Sequence, residues 1–273
     1  MPELPEVETT RRGLAPLLVG RRIAALVVRR RRLRLPIPRA LDAAVPGATI
    51  RAVERRAKYL LIATDAGTAL VHLGMSGSLR LLARATPAGA HDHWDLVLEG
   101  GARLRLNDPR RFGVLLWTTG DPLAHRLLRD LGPEPLALSD ATLAAALAAR
   151  ARGRRVAVKQ FLLDQKVVVG VGNIYASEAL FRARLAPGRA AGRVTAPEWR
   201  RLARGVRAVL ALAIRKGGTT LRDFTRPDGE PGRFRIALAV YDRAGRPCRR
   251  CRTPVRSRVQ GQRATYWCPR CQR

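Results

Sequence analysis

Residues 248–271 read CRRCRTPVRSRVQGQRATYWCPRC. Two Cys-x2-Cys turns, Cys248 with Cys251 and Cys268 with Cys271, stand sixteen residues apart and hold every cysteine of the 273-residue chain. Each turn offers two thiolates to one tetrahedral ion, which is the spacing of a zinc ribbon. A module this short has little core, so the metal would supply its folding energy. Four thiolates leave no position open for water, so the Zn2+ is expected to be structural rather than catalytic. From Cys248 to Arg273 there are eight arginines and no acid, which suits a nucleic-acid contact.

The rest of the chain carries the same bias. Lys+Arg is 52 against 21 Asp+Glu, a formal charge of +31, with 47% hydrophobic residues. The apolar fraction excludes a disordered polymer. The charge calls for a polyanion: DNA, RNA or, least favoured, an anionic membrane surface. Only Lys58, Lys159, Lys166 and Lys216 are lysines. A G+C-rich coding bias accounts for Arg in place of Lys but not for the scarcity of acids. No apolar run reaches the ~18 residues of a membrane span, and the acidic, Pro-punctuated start is not a signal peptide. A cytoplasmic location, where cysteines stay reduced, is expected.

Working back from the cysteines, the reading is helical. Ala196-Pro197-Glu198 starts a long helix over about 195–216, and Gly217-Gly218 stops it. Val169-Gly170-Val171-Gly172-Asn173 is a glycine-rich turn running into a helix over 173–182, with Asn173 placed as its N-cap. Such a turn is either a phosphate seat, with Lys159 on a 154–163 helix closing on the same anion, or a tight helix–helix turn. Arg154 and Arg155 add charge nearby. Ser139 caps a helix over 139–150, and Gly132-Pro133-Glu134-Pro135 is a linker. Before it, short apolar runs (23–28, 59–63, 69–73, 94–98, 103–106, 114–117) separated by turn signals predict an antiparallel sandwich or barrel. Residues 2–18 read as a short helix with Pro5 in its first turn.

Met1 is followed by Pro2, a small residue that normally permits removal of the initiator. The exposed imino nitrogen, with an α-amino pKa of about 7.7–8.0, would be partly unprotonated at neutral pH. A secondary amine attacking a sugar C1′ can form an iminium, and Glu3 beside it is a candidate acid/base; the alternative is an ordinary helix start with Pro and Glu.

Taken in order, these segments resemble the formamidopyrimidine-DNA glycosylase family. The resemblance rests on Pro2–Thr9, Arg55–Leu61, His72–Leu79, His91–His93, Asp108–Gly113, Leu131–Leu136, Val168–Glu178, Gly217–Leu221, Gln262–Thr265 and the cysteine pairs. It implies an α+β, multidomain architecture: an N-terminal antiparallel β-sandwich with an N-terminal helix (1–131), a helix–two-turn–helix domain (132–235) and a C-terminal four-cysteine zinc finger (236–273). DNA would lie in the cleft of a monomer. It implies a bifunctional glycosylase and AP lyase that excises oxidised purines, 8-oxoguanine and formamidopyrimidines, from duplex DNA. By resemblance, Pro2 is the nucleophile, Glu3 the acid/base, Lys58 the lysine assisting base departure and β-elimination, and Arg263 the finger arginine assigned to δ-elimination. Lys159 and Asn173 resemble phosphate contacts, with His91 and Arg154 as further backbone contacts. Met75, Arg110 and Phe112 resemble the wedge that fills the hole left by a flipped base. Gly217, Gly218, Thr219 and Thr220 would begin the loop over the lesion.

The chain departs from the family pattern at Asp242, where glycine is usual, and at Gly153, in a run that is more often basic. Two other readings compete. The sister enzyme endonuclease VIII, acting on oxidised pyrimidines, shares the Pro-Glu start, the lysine and the finger; the Leu4–Val7, His72–Gly77 and Arg110–Phe112 segments favour the purine branch. A non-catalytic zinc-ribbon DNA-binding or ribosome-associated protein would explain the charge and cysteines but needs neither Pro2 nor Lys58.

Overall fold

The structure is a computed structural model that describes residues 2–83, 86–218 and 238–273. The chain forms two compact units, one running to Arg129 and the other holding Asp130–Arg215 together with the C-terminal stretch.

The first unit opens with α1 (Leu4–Leu18), followed by β1 (Ile23–Val28), the short α2 (Ala40–Ala44), β2 (Ile50–Arg56), β3 (Tyr59–Thr64), β4 (Thr68–His72), β5 (Ser78–Leu82), β6 (Asp92–Leu98), β7 (Arg103–Asn107) and β8 (Val114–Thr118). The strands make two four-stranded antiparallel sheets, ordered β1-β6-β7-β5 and β2-β3-β4-β8. Leu60, Ile62 and Val71 from one sheet and Trp94, Leu96 and Leu104 from the other share a single buried core with Leu14 and Leu18 of α1. Each such side chain contributes about 1.5–3 kcal/mol by leaving water. Some of the scarce acids hold arginines. Asp95, fully buried, accepts from Arg105 at 2.8 Å and from Arg29 at 2.5 and 3.0 Å.

The second unit contains α3 (Asp140–Ala151), α4 (Val158–Leu163), α5 (Asn173–Ala183), α6 (Ala196–Arg215), and the hairpin β9 (Arg256–Gln260) and β10 (Arg263–Trp267). Ser139 caps α3 as expected, its Oγ accepting from the Thr142 amide at 3.1 Å. The helix expected over 154–163 begins only at Val158. The Arg154 and Val156 carbonyls accept from the Gly192 and Ala191 amides at 2.9 and 2.8 Å, so they are engaged in a strand-like bridge. Gly153, with φ +69, makes the turn between α3 and this bridge.

Helix α5 also organises the approach to the finger. The Glu178 carboxylate, 2% exposed, accepts three backbone amides, from Ala239, Val240 and Tyr241, each at 2.9 Å. Asp242 follows with φ +58. A left-handed residue is why glycine suits that place, and aspartate is among the few others that tolerate it. Among the described residues no helix is long and apolar enough to cross a membrane.

Candidate functional site

In the first unit, the sequence places its candidate nucleophile at the start of α1. Pro2 is buried and Glu3, 3% exposed, is the N-cap. The Glu3 amide donates to Glu6 Oε2 at 2.8 Å, and the Glu3 carboxylate accepts from the Glu6 amide. This reciprocal capping box fixes how the chain enters the helix and sets Glu3 at the positive helix end.

Lys58 sits in the two-residue turn joining β2 to β3, where Arg56 pairs with Tyr59. Ala57, the first turn residue, has φ +55, a strained conformation for alanine. Lys58 is 8% exposed. Beside the turn, His72 on β4 pairs with Tyr59 and packs on its ring, centroids 4.8 Å apart. Burial first, then the charges of Lys58 and Arg34, push its pKa down from 6.5 to about 4, so the imidazole is neutral at pH 7. Its Nδ1 accepts from the Gly74 amide at 2.9 Å. His72 opens one of the quoted segments, but a single histidine on an apolar strand carries no site signal of its own.

A depressed histidine pKa has a testable consequence. The unfolded chain binds the proton more tightly, so this contribution is fully present above about pH 6.5 and is lost as pH falls through about 4. Allowing for partial exposure, it is worth on the order of 1–2 kcal/mol. Thermal melts at pH 7 and pH 4.5 should show a smaller acid-induced drop in Tm for His72→Gln than for the parent chain; equal drops would remove the role.

Two turns in this unit mesh at one place. The Leu73–Gly77 turn closes with a Gly77 amide to Leu73 carbonyl bond of 2.9 Å. Asp108, fully buried, ties it to the second turn: one oxygen accepts from Ser76 Oγ at 2.9 Å and the Arg110 amide at 3.3 Å, the other from the Gly113 amide at 2.7 Å. Gly74 has φ +68, and a Cβ there would lie 2.4 Å from the Phe112 carbonyl carbon, so no other residue allows the approach. The outcome is that Met75 (36% exposed), Phe112 (39% exposed) and Arg110 project together, with the Arg110 guanidinium 5.1 Å from the Phe112 ring centroid. Large apolar side chains held in water by a rigid clamp mark a binding surface more than a core. His91 is exposed at the base of this loop, its carbonyl accepting from the Asp108 amide at 2.9 Å, while His93 is buried with Nε2 2.7 Å from the Asp108 carbonyl.

In the second unit the glycine-rich turn differs from expectation. Gly172 is the N-cap of α5 and Asn173 its first helical residue. The Asn173 side chain donates to the Ala264 carbonyl at 3.0 Å. Lys159 is fully buried, and its Nζ donates to the same carbonyl at 2.9 Å and to Thr265 Oγ1 at 2.7 Å. Both residues bond the β9–β10 hairpin next to Arg263. That hairpin turns through Gly261 and Gln262, both left-handed (φ +56 and +58), leaving Arg263 exposed. Arg154 and Arg155 are exposed on the segment before α4. Gly217 and Gly218 end the long helix with φ +71 and +83; Thr219, Thr220 and the loop beyond lie outside the described residues.

The four cysteines converge as their spacing predicts. One ligand sulfur from each of Cys248, Cys251, Cys268 and Cys271 lies within 4.8 Å of the others. The Arg250 amide reaches Cys248 Sγ and the Cys271 amide reaches Cys268 Sγ, both at 3.4 Å. Amides aimed at sulfur stabilise thiolate, the form that binds zinc, so the donor set fits one structural Zn2+. Gln272 anchors the second turn, accepting from the Cys268 amide at 2.9 Å and donating to the Leu185 carbonyl at 2.9 Å.

Known proteins match the chain along its whole length. The family model described as the formamidopyrimidine-DNA glycosylase N-terminal domain matches residues 1–115, the model for its H2TH domain matches 131–225, and the zinc finger found in FPG and IleRS matches 245–273. The formamidopyrimidine-DNA glycosylase of Alkalilimnicola ehrlichii is 60% identical, with all of both chains covered. That of Syntrophotalea carbinolica is 56% identical over the full length of both. Among solved structures, the MutM (Fpg) protein of Thermus thermophilus is 44% identical over 99% of this chain and 98% of that one, TM-score 0.87. A Lactococcus lactis Fpg mutant in complex with Fapy-dG-containing DNA is 30% identical, covering all of both chains, TM-score 0.90. With relatives of this identity along its whole length, the chain belongs to the formamidopyrimidine-DNA glycosylase family.

Proposed function

We propose that the chain is a bifunctional DNA glycosylase and AP lyase of base excision repair that flips oxidised purines out of duplex DNA, excises them and cleaves the strand by β,δ-elimination. The observation that carries this reading is the full-length match to a relative solved on Fapy-dG DNA. In the proposed division of labour, residues 1–131 do the chemistry, while 132–235 and the finger, 236–273, grip the duplex. A monomer in the cytoplasm, drawn to the nucleoid by its DNA affinity, fits the +31 charge.

The steps fall to this chain's own groups. The Pro2 nitrogen, once Met1 is removed, attacks C1′ and the glycosidic bond breaks. Lys58 supplies a proton as the base departs, and Glu3 manages the proton that opens the sugar. An arginine could not serve at Lys58, because it stays charged in proteins. The resulting iminium acidifies C2′, and loss of that proton expels the 3′ phosphate; Arg263 holds the phosphate that leaves in the δ-step. Met75, Arg110 and Phe112 fill the vacated stack. His91 and Arg154 contact the backbone. Lys159 and Asn173 fix the hairpin that carries Arg263 and contact the phosphate beside it. The zinc, when bound, supplies folding energy to the finger and takes no part in bond breaking.

Borohydride reduction of the chain mixed with duplex containing 8-oxoguanine or Fapy-dG should yield a covalent protein–DNA adduct; without an adduct only a binding role survives. The wedge has its own test. In this reading Arg110, whose amide donates to Asp108, pairs with the orphaned base. Arg110→Ala should reduce the excision preference for cytosine over adenine opposite the lesion by about tenfold, the scale of one charged hydrogen bond. An unchanged ratio of opposite-base rates would count against that role.

A further inference from the structure

A bonded chain of side chains runs from α1 to the turn that carries Lys58. The Glu8 carboxylate, 10% exposed, accepts from Arg11 at 2.9 and 3.0 Å, from Arg12 at 2.8 Å and from Arg55 Nε at 3.1 Å. Burial by itself raises the Glu8 pKa, but hydrogen bonds from Arg11 and Arg12 and the charges of Arg11 and Arg55 outweigh it and hold the group at about 2. Glu8 is therefore a fixed anion on the second turn of α1. Arg55, 11% exposed, makes a second bond: its Nη1 donates to the Ala57 carbonyl at 2.9 Å. Ala57 is the left-handed residue directly before Lys58. A strained alanine persists only where its surroundings over-determine it, and a turn that relaxed to negative φ would re-aim the next side chain.

We propose that Arg55 is a positioning residue: by bonding Glu8 on α1 and the Ala57 carbonyl at once, it holds the Lys58 turn in register with the helix whose first residues follow Pro2 and Glu3. Amine and ammonium then address one nucleotide. The inference rests on the proposed parts of Pro2 and Lys58.

The test compares three variants with the parent chain. Arg55→Met keeps the aliphatic bulk and loses both bonds. Arg11→Met removes two bonds from the same carboxylate and leaves the Ala57 carbonyl bonded. Both should lower Tm to a similar extent. Only Arg55→Met should slow single-turnover excision, by about 30-fold, the scale of a sub-ångström to 1 Å misplacement, with the Kd for lesion duplex within about threefold. Arg55→Ala should be slow too, and guanidinium ion at non-denaturing concentration should restore its excision by about fivefold or more by re-entering between carboxylate and carbonyl. Excision by Arg55→Met within twofold of the parent, equal slowing in Arg11→Met, or no guanidinium rescue would each overturn the proposal. The parent chain trapped with borohydride on abasic duplex keeps the two readings apart: an adduct there with unaltered Arg55 variants overturns Arg55 alone, whereas no adduct overturns the chemistry on which it rests.

Discussion

A chain that keeps its initiator methionine should form no borohydride adduct at all. Inserting a glutamate between Met1 and Pro2 blocks methionine removal and leaves the Pro2 nitrogen in an amide, with no lone pair for C1′. Loss of a covalent nucleophile of this kind costs at least about 1,000-fold. Pro2→Gly is the subtler change. It leaves a primary amine, but the ring that fixes φ near the helix entry is gone, and the capping box at Glu3 and Glu6 then directs a freely rotating terminus. Single-turnover excision should fall by about 100-fold or more, since effective concentration depends on a near-attack geometry. Lesion-duplex binding should persist in both, because the phosphate-gripping groups are untouched. Excision within tenfold of the parent in the initiator-blocked chain would mean another group attacks the sugar.

The second large effect concerns the metal. Removing zinc with a chelator, or replacing Cys268 by serine, should collapse the finger. Its core consists of Val240, Val255, Cys248 and Cys268 with Phe181 and Tyr266 against them, too little to fold without the ion. Arg263 would lose its platform, because Lys159 and Asn173 grip the residue beside it only while the hairpin exists. Affinity for duplex should fall by about 100-fold, with a shallower salt dependence because fewer phosphates are neutralised. The two sheets of the first unit share no residue with this core, so amide exchange in β3, β4, β6 and β7 should be unchanged. Retention of full affinity after verified zinc loss would contradict the role given to the finger.

How far the residues alone carried this structure follows from where their partners lie. Periodic apolar runs revealed β1, β3, β4, β6, β7 and β8, and turn residues their limits, since each strand needs only itself and a core. Strands β2 and β5 carry no such clean run: Arg51, Arg55, Arg56 and Arg80 interrupt their apolar positions, and the sheet rather than local propensity makes them extended. Cysteine spacing disclosed the metal site because two turns close one tetrahedron. Asn173 is the first residue of α5 and not its N-cap, and its bond, like that of Lys159, is long-range: Ala264 lies 91 residues from the one and 105 from the other. Asp108, Glu178 and Glu8 lie in segments quoted from the sequence, but their distant partners, Ser76, the 239–241 amides and Arg55, leave no local pattern.

The most direct measurement is tandem mass spectrometry of the tryptic peptides from the borohydride-reduced adduct with lesion duplex. The N-terminal peptide, beginning at Pro2, should carry the mass of the reduced sugar remnant on its imino nitrogen. A remnant found on Lys58 or any other side chain, with an unmodified proline terminus, would contradict the chemistry assigned to this chain.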